Sequence, residues 1–303
     1  MGPGIAQIMS LAGLQVCLYD ISSEALERAK LSLHTGLVSF EEQNIVDAAQ
    51  VDLLYQRVTY TTDLTTALRD TGIVFEAVSE NPNVKELVYR QLDELAPAEL
   101  VIASNTSFLN IFELMPERRK PYTVIAHWYA PAQMIPLVEV CPNEQTEPWV
   151  SDSVMRLLRD GGKSPVLMKR FIQGYIINRL QMCLNQEIFY LLDNGYCTPQ
   201  DIDLAVKSSL IPRAMVLGLC QRMDFAGLNM YANNLRNNVY TPPPVTDMPK
   251  TLQERLDRGE TGVQAGKGFY NYCDKDISAL LAKRDRQLYE AFQLEQKFMS
   301  DPL

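Results

Sequence analysis

Met1-Gly2-Pro3-Gly4-Ile5-Ala6 opens the chain, and the apolar stretch behind it ends in Val16-Cys17-Leu18-Tyr19-Asp20. A dinucleotide-binding unit runs strand, then G-x-G-x-x-G, then helix, because glycines let the backbone approach a pyrophosphate at the helix N-terminus. Only the last glycine of that pattern can be present here, as Gly2, with Gly4 following it. Asp20 closes the next strand, about 20 residues on, where an acid hydrogen-bonds the adenine ribose 2′-hydroxyl. A strand-end Asp can also simply cap the helix after it; with two glycines ahead of it, the ribose role is the one expected. The first strand and first two glycines of such a unit are not in the sequence, and the expectation is that an internal methionine stands as the start. That strand is central in the sheet, so its loss predicts two exposed ladder edges, a depleted pyrophosphate cradle, poor solubility and feeble cofactor affinity.

Working outward, 303 residues suffice for two domains of ordinary size. The chain is 47% hydrophobic and 21% charged, with a net charge of −9, so it has no large basic footprint for nucleic acid. Arg118-Arg119-Lys120 and Lys169-Arg170 are short clusters that read as solvated surface. Six cysteines are scattered without a C-x-x-C pair, which predicts neither a zinc site nor a disulfide framework and suggests a reducing, cytoplasmic setting. The apolar start lacks the basic residues and cleavage pattern of a signal peptide. Ala6 stands where myristoylation needs Ser or Thr, and no apolar run is long enough to span a bilayer.

The first half alternates strands with helices. Strands are predicted at 15–19, 57–60, 72–78, 100–103, 123–126, 137–141 and 165–168. Helices are predicted at 22–38, 41–56, 83–95 and 148–159, the first capped by Ser22 or Ser23. Such alternation argues for right-handed crossovers and a largely parallel sheet. After Lys169 the strand signals nearly vanish. A helix is predicted over 175–194 with Gly195 as its stop, and another starts at Thr198-Pro199. A rigid Thr241-Pro242-Pro243-Pro244 loop and a closing helix over 277–299 follow. The expected fold is an α/β Rossmann-like doubly wound parallel sheet, first strand missing, followed by an all-α C-terminal domain. The boundary is placed at residues 1–169 and 170–303.

Two histidines are present. His34 sits inside a mixed helix and reads as a surface residue. His127 ends a strand in Ala126-His127-Trp128, and Glu139 follows on the next strand, where a turn can bring its carboxylate back to the imidazole. Such a pair fixes the imidazole tautomer for general-base work; a core histidine bonded to backbone is the plainer reading. Ser104-Asn105-Thr106-Ser107 follows a strand, at the carboxyl end that faces the ligand crevice in such sheets. A capped turn is its structural alternative. A Ser-His-Glu hydrolase is disfavoured because no G-x-S-x-G elbow surrounds either serine. Asn178 lies one turn into the helix that opens the second domain and can donate to a substrate oxygen or bridge helices.

Taken together, these segments resemble the L-3-hydroxyacyl-CoA dehydrogenase family over nearly the whole chain. Met1 to Ala6 is similar to its M-G-x-G-I-A, and Phe75 to Asn81 with Lys85 to its V-E-A-x-x-E-N and following lysine. Ser104 to Ser107 matches S-N-T-S, His127 through Glu139 fits H-x-x-x-P-x-x-x-x-P-L-V-E, and Gly174 to Leu180 resembles G-F-I-x-N-R-L. Asp224, Gly227-Leu228 and Gly266-Lys267-Gly268-Phe269-Tyr270 resemble its C-terminal signatures.

The resemblance implies NAD held by Gly2, Gly4, Asp20, Glu80, Lys85 and Asn105, with no metal. It implies His127 as base, Glu139 as its orienting acid, and Ser107 and Asn178 as donors to the reacting oxygen. A small-molecule substrate and a homodimer are expected, with no nucleic-acid or membrane partner. An acyl-CoA is the first substrate expectation. However, Ser39-Phe40-Glu41-Glu42-Gln43 is acidic where CoA would favour basic residues. Arg213 resembles branches that oxidise small free hydroxy acids, of L-gulonate and carnitine type, and could grip a carboxylate; a helix-end arginine is its plainer reading. Three departures stand out: Ala130 where the family has Asn, Gln173 where it has Pro, and Leu219 where Pro is common. A 3-hydroxyisobutyrate-type dehydrogenase and a non-enzymatic remnant that cannot hold NAD are the competing readings.

Overall fold

The computed structural model describes residues 1–301. The chain divides into two units, Met1–Ile177 and Asn178–Leu303. The last two residues of the second predicted domain lie outside the described residues.

The first unit runs α1 (Gly2–Leu11), β1 (Val16–Tyr19), α2 (Ser23–Glu42), α3 (Ala48–Gln56), β2 (Val58–Thr61), the single turn α4 (Leu64–Ala67), β3 (Ile73–Glu76) and α5 (Pro82–Leu95). It continues with β4 (Val101–Ser104), β5 (Thr123–Trp128), β6 (Leu137–Pro142), α6 (Pro148–Asp160) and β7 (Ser164–Leu167). Helix starts follow local chemistry. Ser22 accepts from the Ala25 N–H, Asp47 and Gln50 form a capping box, and Asn81 caps α5 ahead of Pro82.

The strands form two ladders, β1-β2 and β3-β4-β5-β6-β7, and β1 is not bonded to β3. β1 and β2 are parallel, as are β3, β4 and β5. β6 then turns antiparallel to β5, with β7 parallel to β6. Only residues 129–136 join β5 to β6, fewer than a parallel crossover needs. The sheet is therefore largely parallel, as predicted, but mixed by the one antiparallel pairing at β6.

Alternation along the strands sorts the core into two layers. Val101, Ala103, Val124, Ala126, Trp128, Val138 and Val140 pack with Ile5, Leu33, Leu37 and Val154 from α1, α2 and α6. Ile102, Ile125 and Cys141 face the other way, onto Tyr89, Leu92 and Tyr175. Leu33 and Leu37 have no exposed surface, and burying each contributes roughly 1.5–3 kcal/mol. His127 and Glu139 carry the odd parity of Ile125 and Cys141, so they point into the second layer.

In the second unit α7 (Ile177–Asp193) is followed by α8 (Pro199–Ala205), a π-turn (Val206–Leu210) and α9 (Ile211–Ala226), which is broken at Gly218 with φ 67°. Then come α10 (Leu228–Arg236), α11 (Lys250–Asp257) and α12 (Ile277–Ser300). Thr198 and Asp201 form the capping box of α8, with Pro199 in its first turn. Unlike the first unit, no side chain of these helices is buried. No helix among the described residues is long and apolar enough to cross a membrane.

Candidate active site

β5 and β6 pair so that His127 stands directly opposite Glu139. Residues in that relation have neighbouring Cβ atoms on one face. The His127 Nδ1 lies 3.0 Å from Glu139 Oε2, with 3% of His127 and none of Glu139 exposed. A carboxylate against Nδ1 assigns the ring proton to that nitrogen and leaves the lone pair on Nε2. Glu139 Oε2 also accepts from the Tyr129 hydroxyl at 2.6 Å, and Oε1 accepts from the N–H groups of Ile176 and Ile177 at 2.9 and 3.1 Å. Burial alone would push this carboxyl up, but the bonds from His127, Tyr129, Ile176 and Ile177 together hold it below the ordinary carboxylate range.

Two aromatic rings flank the imidazole. Tyr129 meets it edge-on with centroids 4.5 Å apart, and Tyr175 lies at 4.7 Å. Tyr175 is fully buried, donates to the Thr106 carbonyl at 2.8 Å, and has φ 51° beside Gly174 at φ 81°. Positive φ is uncommon for a tyrosine and stops helix there; α7 therefore begins at Ile177, two residues later than predicted. These ties hold residues 175–177 to the first unit, which the composition change at Lys169 does not signal. Lys163 fixes the loop between His127 and Glu139, donating to the carbonyls of Ala132 and Ile135 at 2.7 and 2.9 Å. Burial pushes its ammonium down to about 7, against carbonyls and a Trp128 ring that favour the charge.

Ser107 sits in a turn organised by Glu80. One Glu80 oxygen accepts from the Thr106 hydroxyl and the N–H groups of Ser107 and Phe108, at 2.7, 2.9 and 2.8 Å. Burial opposes ionisation of Glu80, and these donors with Lys85 outweigh it, so its carboxyl is held low. Asn105 accepts from the Trp128 N–H at 2.8 Å, tying that turn to the strand carrying His127. Lys85 is wholly buried; its Nζ pairs with Glu76 at 2.8 Å and lies 3.7 Å from Glu80. Tyr89 and Ser104 also donate to Glu76, each at 2.6 Å.

The N-terminus of α1 fits a dinucleotide phosphate. Its first intrahelical bond runs from the Ile5 N–H to the Met1 carbonyl, leaving the Gly2 and Gly4 N–H groups for another acceptor. A Cβ on Gly4 would meet the Gln133 side chain at 2.7 Å and its backbone N at 3.2 Å, so close packing also requires glycine there. One Asp20 oxygen accepts from the Ser22 N–H at 2.9 Å, the capping role weighed above, and its other oxygen is unengaged by that turn.

Of the second-unit residues, Asn178 follows directly on the Ile177 bonded to Glu139. Arg213 turns its fork back onto the π-turn before α9, to the Ser209 carbonyl and hydroxyl at 3.1 and 2.9 Å. A cavity of about 580 Å³ lies within the second unit, between α7, α11 and the 260–272 segment. None of the predicted site residues lines it. His34 is exposed on α2, as predicted. Sequence reasoning missed Tyr129 and Tyr175. Tyr129, two residues beyond His127, carried a period-2 signal for the same face; Tyr175 was absorbed into a helix prediction.

Comparison with known proteins gives a consistent answer. The description "3-hydroxyacyl-CoA dehydrogenase, NAD binding domain" matches residues 1–171, and its C-terminal domain matches 174–272. The chain is 30% identical, over 95% of its length and 93% of the relative's, to a 5-formyl-3-hydroxy-2-methylpyridine 4-carboxylate 5-dehydrogenase of Mesorhizobium japonicum. A crystal structure of an enzyme of that activity, described as an NAD+-dependent dismutase, superposes with a TM-score of 0.85 at 29% identity, covering 98% of this chain and 95% of that one. A probable 3-hydroxybutyryl-CoA dehydrogenase of Bacillus subtilis is 30% identical over 91% of this chain and 95% of its own.

Proposed function

The chain belongs to the 3-hydroxyacyl-CoA dehydrogenase family, NAD-dependent oxidoreductases that act on CH–OH groups, and on that premise we propose that His127 is the general base of an L-3-hydroxyacyl oxidation. His127 Nε2 takes the proton of the substrate hydroxyl. NAD, when bound, supplies the hydride acceptor. Glu139 fixes the tautomer and stabilises the imidazolium that results. Ser107 and Asn178 donate to the oxygen as it becomes a ketone. Gly2, Gly4, Asp20 and Asn105 hold the cofactor, with Glu80 and Lys85 acting on it through the turn at 106–109. The observation that carries this reading is the 3.0 Å contact between register partners His127 and Glu139.

General-base catalysis is typically worth about 10²–10⁴ in rate. His127→Gln should lower NAD reduction with 3-hydroxybutyryl-CoA by that factor while leaving NAD affinity, by calorimetry, nearly unchanged. Turnover equal to the parent's would overturn the assignment.

A second reading, a small free carboxylate in place of the acyl-CoA, is supported by the pyridine-carboxylate relative, which spans nearly the whole chain. The acidic end of α2, at Glu41 and Glu42, also disfavours CoA phosphates. Parallel assays with 3-hydroxybutyryl-CoA, L-gulonate and the pyridine aldehyde separate the two. A second copy of the chain is proposed to cover the helical unit. Leu204, Phe225, Leu228 and Leu235 are all at least 60% exposed, and a second copy would withdraw such apolar area from water. Sedimentation velocity tests this, with a monomer at micromolar concentration as the refuting result.

A further inference from the structure

Two donors meet on one oxygen of Glu139: the His127 imidazole at 3.0 Å and the Tyr129 hydroxyl at 2.6 Å. An O–H···O⁻ bond at that length is of the strong, charge-assisted kind, and the tyrosine is the tighter of the two. A carboxylate oxygen whose charge is drawn toward a phenol has less to offer an imidazolium. We propose that Tyr129 is a positioning residue that limits how strongly Glu139 holds a proton on His127. The mechanistic use of this rests on the reading of His127 as base; the coupling itself does not.

The groups facing the imidazole are few. Glu139 comes from β6, Tyr129 from the loop after β5, and Tyr175 from the segment before α7. Cys141, on β6, has its thiol pushed up to about 12 by burial and by Glu139, and burial with Glu80, Cys141 and Glu139 pushes the Tyr175 phenol up as well. Both stay neutral across the physiological range. Glu139 is the carboxylate in direct contact with the ring. Modulating Glu139 modulates His127, and Tyr129 is the side chain placed to do so.

The chain has only two histidines, so a His34→Gln background leaves a single imidazole to follow by NMR titration of the cofactor-free protein. There, Tyr129→Phe should raise the titration midpoint of His127 by about half to one pH unit. Site-specific 3-fluorotyrosine at 129, a stronger donor of the same shape, should lower it. With Glu139→Gln added, the Phe substitution should have no effect, since the coupling runs through that carboxylate. An unmoved midpoint, a shift of the same sign from both substitutions, or a Phe effect that survives Glu139→Gln would overturn the proposal. Should the Phe variant fail to fold, the fluorotyrosine arm decides, because it keeps ring and hydroxyl.

The acid limb of kcat/KM for 3-hydroxybutyryl-CoA should move with the NMR midpoint in each variant. If the titration arms hold while no variant reduces NAD, the base assignment fails and the coupling stands. If NAD is reduced while the midpoints stay fixed, the reverse is true.

Discussion

Glu76 and Glu139 are both buried carboxylates in the layer that also holds Tyr89 and Tyr175, yet they are satisfied in opposite ways. Glu76 is closed: Lys85 supplies an ammonium and Tyr89 and Ser104 two hydroxyls. Glu139 is met instead by an imidazole, a phenol and two backbone N–H groups. A carboxylate enclosed by a lysine and two hydroxyls is tied to its surroundings on every side and serves architecture. One balanced by dipoles and a titratable ring leaves that ring able to gain and lose a proton. The stretch from Glu76 to Asn81 therefore reads as a scaffold for the Ser107 turn, and the strand pair β5-β6 carries the proposed base.

Breaking the closed site should cost most. Lys85→Met strips Glu76 of its cation in the interior, and such single removals destabilise by about 3–5 kcal/mol. Urea denaturation measures this, and Lys85→Met with Glu76→Gln should recover much of the loss. If Lys85 instead reached NAD directly, the single variant would lose nucleotide affinity at near-parental stability.

Breaking the open site should act on rate. Glu139→Gln keeps the shape but removes the charge behind His127, and we expect kcat to fall about 10²-fold, at the lower end of general-base contributions. Its stability effect should be smaller than that of Lys85→Met, because no cation is left unpaired.

The pH dependence sharpens the contrast. The folded Glu139 carboxyl lies below its unfolded value. Its stabilisation is therefore fully present above the unfolded value, near pH 4 to 5, and lost as pH falls through the depressed one. The difference in urea midpoint between parent and Glu139→Gln should shrink as pH drops from about 5 to 3. Glu80, depressed by a different set of donors, contributes equally to both proteins and cancels. A difference that grew on acidification would contradict the dipole-balanced description.

Much of this was legible before the structure. The turn between their strands made the pairing of His127 with Glu139 legible, and the structure adds the parity that sets them with Ile125 and Cys141. The helix caps at Ser22 and Thr198 were legible for the same local reason. The sheet direction at β6 was not, because alternation marks a strand but not its sense; the shortness of 129–136 was the available clue. The Ile176 and Ile177 donors were illegible in principle, since a backbone N–H has no side-chain signature. Lys85 was read as a cofactor ligand from resemblance alone, and its enclosure depends on Glu76, nine residues away and brought close only by the β3-α5 turn.

The smallest expected effect probes how far the closed site is over-determined. Ser104 donates to Glu76 at 2.6 Å and sits 3.0 Å from the Tyr89 hydroxyl. Ser104→Ala removes one hydroxyl, but Lys85 and Tyr89 still reach the carboxylate, so no charge is stranded. A hydrogen bond lost under those conditions typically costs about 1 kcal/mol. Ser104 also adjoins Asn105, whose side chain holds the Trp128 backbone, so a physical path runs from the Glu76 cluster to the strand carrying His127. If the two carboxylate sites are independent, Ser104→Ala lowers the urea midpoint slightly and leaves kcat, KM and the His127 titration where they were. A shift in that titration would show that the architectural carboxylate tunes the chemical one, and the division between scaffold and base would have to be redrawn.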